Sequence, residues 1–370
     1  MVASLVAATT MSCGAESTVA VHSPPQSTPT ASGTPATPSA TGLRPQDAVV
    51  VDAGRFQATV VCSPGGDLVW PSSSSSDPAQ YKSDEILAST PDRREPRVVA
   101  TAQHGGQVFT GGTANGWAVV GELLQMGSDA HWKFWYLSTV NIRTGQVIPL
   151  AESTTQPMAS EPPNATLSGD LVVWDELTSA GDKVLRTFVI SSGARSTLSW
   201  LGVRPTWPVS DGQLIAFLDN ATDPHASTQI NATRGGHLMV YDLKTQRLTK
   251  PDSAPDARQE VMAGSLIAWE GQGAGGNFSV WLSSLDGSPA KQISGVGYRI
   301  RLSSTKLMWT GPEGTFQYRL DSQTTTKLAV APLQDIKSWT PSFALCGNAV
   351  YYSPIYQGAA SHPIYVHLGD

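Results

Sequence analysis

The chain has 370 residues and a net charge of −6, a length that suits two or three ordinary domains or one closed array of repeats. Charged residues make up only 15% against 40% hydrophobic, below the roughly 25% charge of an average globular chain, which argues against long charged helices and coiled coils. Without a basic surplus there is no surface for nucleic acid, and Gly 34, Pro 26 and Trp 11 point instead to many short elements joined by tight turns.

Residues 1–13 are apolar and small and end at Ser12 and Cys13, the pattern of a secretory signal segment. The run is shorter than the about 20 residues an ordinary membrane-spanning helix needs. A small residue ahead of a cysteine resembles the processing site of bacterial lipoproteins, a resemblance that implies a lipid on Cys13 and attachment to a membrane. Thr10 stands where that family usually has Leu, and no Lys or Arg opens the segment. A signal with an incidental cysteine is the competing reading.

Residues 14–45 carry six Pro, five Ser and six Thr, with Glu16 and Arg44 the only charges. Such a stretch buries too little apolar surface to offset the entropy of ordering it, so a solvated tether is expected.

From residue 46 to 370 one unit repeats. Gly169-Asp170-Leu171-Val172-Val173-Trp174, Gly212-Gln213-Leu214-Ile215-Ala216-Phe217, Gly264-Ser265-Leu266-Ile267-Ala268-Trp269, Ser304-Thr305-Lys306-Leu307-Met308-Trp309 and Gly347-Asn348-Ala349-Val350-Tyr351-Tyr352 each read as turn, apolar run and aromatic. Weaker copies end at Trp70 and at Gly121. Taking 70, 121, 174, 217, 269, 309 and 352 as anchors, the spacings are 51, 53, 43, 52, 40 and 43, the period of propeller blades. Each anchor is followed by a second strand pattern, a tight turn and a short third one, as in His237 to Leu243 and Arg247 to Thr249. With the strand before the anchor, each unit is a four-stranded antiparallel meander.

Sheets of this kind cannot bury both faces singly; set radially, each packs on two neighbours. The sequence therefore predicts an all-β fold, a β-propeller of seven four-stranded blades, with six as the competing count. The repeat resembles the TolB-like propellers of bacteria, whose blades carry a Ser-Pro-Asp-Gly-like turn and an Ile-Ala-Phe-like strand; Ser63-Pro64-Gly65-Gly66-Asp67 is close to that turn. The resemblance covers residues 47 to 370 and implies a binding platform outside the cytoplasm, without specifying its ligand.

The last unit supplies only three strands before the chain stops, whereas Asp47 to Asp52 is an apolar strand with no unit of its own. Pairing the two would close the ring. Cys62 and Cys346 stand at equivalent places, each at the end of a first strand, in the first and last units. In an oxidising compartment these would form a disulfide; two aligned free thiols are the alternative.

Motifs for chemistry are missing: there is no Gly-x-Ser-x-Gly elbow, His-Glu-x-x-His pair, phosphate loop or calcium loop. The seven His are dispersed, so no metal site and no cofactor is expected, and the histidines read as surface or strand-edge residues. In a propeller the first strands line the channel, which makes Arg204, Trp207, Glu260, Arg299, Arg301 and Trp339 the candidate ligand-binding residues. Arg299 and Arg301, alternating on one strand face, could present two guanidinium groups to an anion, or could pair with acids of the channel. Trp207 and Trp339 could stack on a sugar or pack between blades. Two functions remain. One is a non-enzymatic, envelope-anchored propeller binding a protein or a glycan. The other is a propeller lyase or glycosidase with carboxylates, His or Tyr converging at the channel mouth.

Overall fold

The computed structural model describes residues 42–43, 49–52, 60–75, 82–125, 132–153, 162–220, 236–251, 257–272, 277–285, 288–330, 342–347, 349–353 and 363–367. All belong to one unit, Pro38–Asp370. Cys13 and Trp339 lie outside the described residues.

Every regular element among the described residues is a strand. Two short ones come first, β1 (Gly42–Leu43) and β2 (Val49–Asp52). The first sheet follows as β3 (Val61–Cys62), β4 (Leu68–Ser72), β5 (Glu85–Thr90) and β6 (Arg93–Thr101). The second is β7 (Gln107–Ala114), β8 (Trp117–Gln125), β9 (Trp132–Asn141) and β10 (Val147–Glu152). The third holds β11 (Ala165–Ser168), β12 (Leu171–Leu177), β13 (Lys183–Val189) and β14 (Arg195–Leu198). The fourth holds β15 (Pro205–Ser210), β16 (Leu214–Asp219), β17 (His237–Asp242) and β18 (Arg247–Thr249). The fifth holds β19 (Ala257–Ala263), β20 (Leu266–Gln272), β21 (Phe278–Ser284) and β22 (Lys291–Ser294). The sixth holds β23 (Tyr298–Leu302), β24 (Lys306–Gly311), β25 (Gly314–Arg319) and β26 (Thr325–Val330), and the seventh β27 (Ser342–Cys346), β28 (Ala349–Ser353) and β29 (Pro363–His367).

Within each sheet consecutive strands pair antiparallel. The first strands β3, β7, β11, β15, β19, β23 and β27 neighbour one another in that order, and β27 neighbours β3. The fold is an all-β propeller. The N-terminal strand β2 pairs antiparallel with β29, Val50 opposite Tyr365, the pairing its unpartnered apolar run predicted. One difference lies in the stretch read as a tether: Gly42 and Leu43 pair in parallel with Ala329 and Val330 of β26, so the folded body begins before residue 46. Two residues of backbone suffice for this, because an edge strand offers its free N–H and C=O groups to any extended segment beside it.

The apolar runs read as continuous rather than alternating because both faces of every sheet are buried. In β12, Val172 and Trp174 pack toward the second sheet with Val119 and Trp135, while Leu171 and Val173 pack toward the fourth with Ile215 and Phe217. In β20, Ile267 and Trp269 meet Ala216 and Leu238 of the fourth sheet, and Ala268 meets Leu307 of the sixth. Trp70, Trp174, Phe217, Trp269 and Trp309 thus each fill the seam with the preceding sheet.

That pattern corrects one anchor. In β8, Ala118 and Val120 face the first sheet and Val119 faces the third, so the position equivalent to Trp174 and Trp269 is Val120, one residue before the Gly121 assigned from sequence. The Asn115-Gly116 turn, both residues at positive φ (50° and 76°), is a two-residue hairpin of the Asn-Gly kind and sets this register. Gly121 has another reason to be glycine: its cross-strand partner is Phe109, and a Cβ there would lie 2.0 Å from that ring.

Cys62 and Cys346 form a disulfide with Cα atoms 5.8 Å apart, joining the ends of β3 and β27. Trp70, Tyr351 and Ala344 pack in the same seam.

Candidate functional site

Each first strand begins, and each second strand ends, at the same end of the fold, and a carboxylate recurs there. Asp175 directly follows the anchor Trp174 and is 1% exposed. It accepts hydrogen bonds from the Asn164 backbone N–H at 2.8 Å, the Asn164 amide at 3.0 Å and, from the next sheet, the Trp207 backbone N–H at 3.1 Å. Lys183 Nζ lies 3.7 Å away. Glu270 directly follows the anchor Trp269 and has no exposed surface. It accepts the Arg299 backbone N–H from the next sheet and pairs with the Arg258 guanidinium at 3.2 Å. Burial raises its carboxyl above the ordinary glutamate value, opposed by Arg258 and by the Arg299 and Ile300 N–H groups. Asp219, two places after Phe217, accepts the Arg204 backbone N–H at 3.0 Å. These acids stitch the start of a first strand to the second strand of its own or the preceding sheet, supplying acceptors to N–H groups that no ladder partner meets.

The stitched strands carry the predicted residues. Trp207 sits at a break in register between Thr206 and Val209 and has φ of 59°, a left-handed conformation unusual for a bulky residue and costing of order 1 kcal/mol or more. Its side chain is 40% exposed. Arg299 repeats this geometry: φ of 56°, a register break between Tyr298 and Arg301, and an exposed side chain. The break interrupts the strict alternation that placed Arg299 and Arg301 on one face. Ile300 between them is fully buried and Arg301 is half-buried, its Nη1 donating to the Ile300 carbonyl at 2.7 Å. Burial lowers the Arg301 guanidinium from its ordinary value; Glu270 opposes this and the Arg299 charge adds to it. The arginines thus share the end of one strand with Glu270, the acidic-neighbour arrangement.

Glu260, on β19, is 3% exposed, and neither carboxyl oxygen has a hydrogen-bond partner. Burial, with a contribution from Asp175, pushes its carboxyl well above the ordinary glutamate range, against the pull of its own backbone N–H. Burial thus disfavours the charged form of this carboxyl. Arg204 is half-buried beside Asp219. No group of three or more His, Cys, Asp and Glu among the described residues is placed to hold a metal.

The end of the fold thus brings Trp207, Arg204, Glu260, Arg299 and Arg301 onto three successive first-strand entries. The sequence reading missed Asp175, Glu270 and Asp219, which hold those entries. The signal was present: an acidic residue one or two places after the aromatic of an otherwise apolar buried run.

No protein-family model matches the chain, and no curated protein sequence does. Solved structures do. The β-propeller domain of the Trilobed protease from Pyrococcus furiosus, which has an open velcro topology, is 10% identical with a TM-score of 0.54, over 86% of this chain and 98% of that one. The Pyrococcus horikoshii acylaminoacyl peptidase is 12% identical with a TM-score of 0.53, over 82% of this chain and 51% of that one, so this chain spans about half the length of that enzyme. TolB from Acinetobacter baumannii is 10% identical with a TM-score of 0.42, over 86% and 65%. At such identities the first two likenesses show the β-propeller fold and nothing of activity.

Proposed function

We propose that this chain is an extracytoplasmic propeller that binds a protein or glycan partner without transforming it, through the end of the fold carrying Trp207 and Arg299, and that a lipid on Cys13 anchors it to a membrane. The observation that carries the reading is Trp207: a large aromatic displayed to solvent on a backbone held in a strained conformation by a buried carboxylate. Strain of this kind persists where the surroundings over-determine it, and an exposed tryptophan held on such a backbone is the kind of residue that anchors a binding hot spot. The acids at this end favour binding over catalysis, because Asp175 and Glu270 are already engaged, by the Asn164 and Trp207 N–H groups and by Arg258 and the Arg299 N–H, and burial disfavours charge on Glu260. A disulfide between Cys62 and Cys346 favours an oxidising compartment. The contact of β27 with β3 and the pairing of β2 with β29 support one ring of seven blades.

The test is affinity capture from an envelope fraction together with a glycan array, using wild type, Trp207→Ala and Arg299→Ala. Capture lost in both variants with the fold intact is the expected result. Turnover of an array glycan, or binding indifferent to both substitutions, contradicts the reading.

A further inference from the structure

The seam between the first and second sheets differs from the others at its anchor. Val120 stands where Trp70, Trp174, Phe217, Trp269 and Trp309 fill the equivalent seams. The space the missing aromatic would take is open: a cavity of about 700 Å³ lies there, within the size range of small-molecule sites. Its walls are apolar, with Val99 and Ala100 of β6 against Val108 and Val120.

One end of this cavity is polar and rigid. Glu122, buried on β8, accepts the backbone N–H groups of Gln103 at 3.0 Å, His104 at 2.9 Å and Gly106 at 2.7 Å. Burial alone would raise its carboxyl, but the N–H groups of Gly106, His104 and Gln103 and the His104 ring hold it below the ordinary glutamate value. His104 Nδ1 lies 3.1 Å from Glu122 Oε2, and the ring stacks on Tyr136 with centroids 3.7 Å apart. An ionised carboxylate can only accept, so Nδ1 carries the hydrogen and Nε2 is the ring nitrogen left for a ligand. The ring is thus fixed from its edge and its face, the arrangement that pre-organises a contact atom. Glu122 and Glu152 both line the space, and no Lys or Arg does, so an anionic ligand is disfavoured.

We infer that this seam is a second binding site, taking a small neutral apolar molecule with one hydroxyl or N–H donor, the apolar body beside Val120 and the donor on His104 Nε2. It is independent of the partner-binding end of the fold.

The test uses the full chain produced in an oxidising compartment and the neutral probe N-phenyl-1-naphthylamine, which has an aromatic body and one N–H. Saturable fluorescence enhancement is expected, displaced by 1-decanol about three- to tenfold more effectively than by decyl methyl ether, the difference one neutral hydrogen bond supplies, and more effectively than by decanoate. Val120→Trp, which supplies the anchor aromatic, should weaken the probe at least tenfold with the fold retained. His104→Phe should keep the probe and erase the preference for alcohol over ether. Unsaturable enhancement, binding that survives Val120→Trp in a folded protein, or equal displacement by alcohol and ether overturns the inference. Should Val120→Trp fail to fold, His104→Phe decides alone: a preserved alcohol preference overturns the site.

Discussion

The two faces of the first sheet, built on the same repeat, are sealed in opposite ways. Toward the seventh sheet, Trp70 is fully buried among Leu68, Leu87, Ala344 and Tyr351, and the Cys62 to Cys346 disulfide crosses the seam. Toward the second sheet, Val120 takes the anchor place in a cluster of aliphatic side chains, and a cavity remains beside it. The difference teaches that the anchor aromatic, rather than the strand pattern as such, fills the space between radially splayed sheets. Where the aromatic is replaced by valine the two sheets still pack through β3, β4 and β7, but a cavity stays open beside the anchor.

The sharpest way to break the comparison is at the filled seam. Trp70→Ala should cost about 3–5 kcal/mol, the range for a buried tryptophan leaving a void, read as the shift in urea midpoint at constant slope. A cost under about 1 kcal/mol would mean that the aromatic is not what closes the seam. The disulfide comes next: Cys62→Ala with Cys346→Ala should cost about 2–5 kcal/mol, and reduction of the wild type should reproduce the loss. Identical unfolding of oxidised and reduced protein would contradict it.

The buried acids give predictions with opposite signs in pH. Glu260 has a raised folded value, so above the unfolded glutamate value the unfolded chain binds fewer protons than the folded one. Wild-type stability then falls by up to about 1.4 kcal/mol for each pH unit until the folded carboxyl titrates. Glu260→Gln should remove this slope, stabilising the protein at pH 7 and above and leaving it nearly unchanged at pH 4. Glu122 has a lowered folded value, so its contribution is full above the unfolded glutamate value and lost as pH falls through the folded one. Glu122→Gln should cost about 1.5–3 kcal/mol at pH 7, the worth of charged hydrogen bonds, with the difference from wild type shrinking under acid. Equilibrium unfolding at several pH values reads both, and parallel curves for variant and wild type would sink either assignment. Trp207 closes the comparison of aromatics: with 40% of its surface already exposed and glycine relieving the positive φ, Trp207→Gly should cost clearly less than Trp70→Ala. A loss as large as that of Trp70→Ala would make Trp207 a packing residue instead of a displayed one.

Much of the architecture was legible because a buried sheet writes both faces into its sequence. Leu171-Val172-Val173-Trp174 and Leu266-Ile267-Ala268-Trp269 are apolar throughout, and the glycine turns before them fix where each strand starts. The unpartnered Val49 to Asp52 strand and the paired places of Cys62 and Cys346 were legible for the same reason, as they follow from the unit's period. The second copy misled by one residue, since Trp117-Ala118-Val119-Val120 ends without an aromatic and only the alternation of packing partners shows which valine is the anchor. The site was read less fully. The candidates Trp207 and Arg299 do stand on first strands, but their left-handed backbone depends on carboxylates arriving from the preceding sheet. His104 is an exposed histidine, as read from the sequence, but its partners, Glu122 and Tyr136, stand eighteen and thirty-two positions further along the chain and are brought together by the pairing of β8 and β9.

The most direct measurement is the unfolding free energy of Val120→Trp beside wild type. If the open seam exists because the anchor aromatic is missing, the larger side chain enters space already present, and the variant is at least as stable as the wild type. A loss of about 2 kcal/mol or more, the usual penalty for overpacking a filled core, would show that the seam has no room for it and would contradict the account.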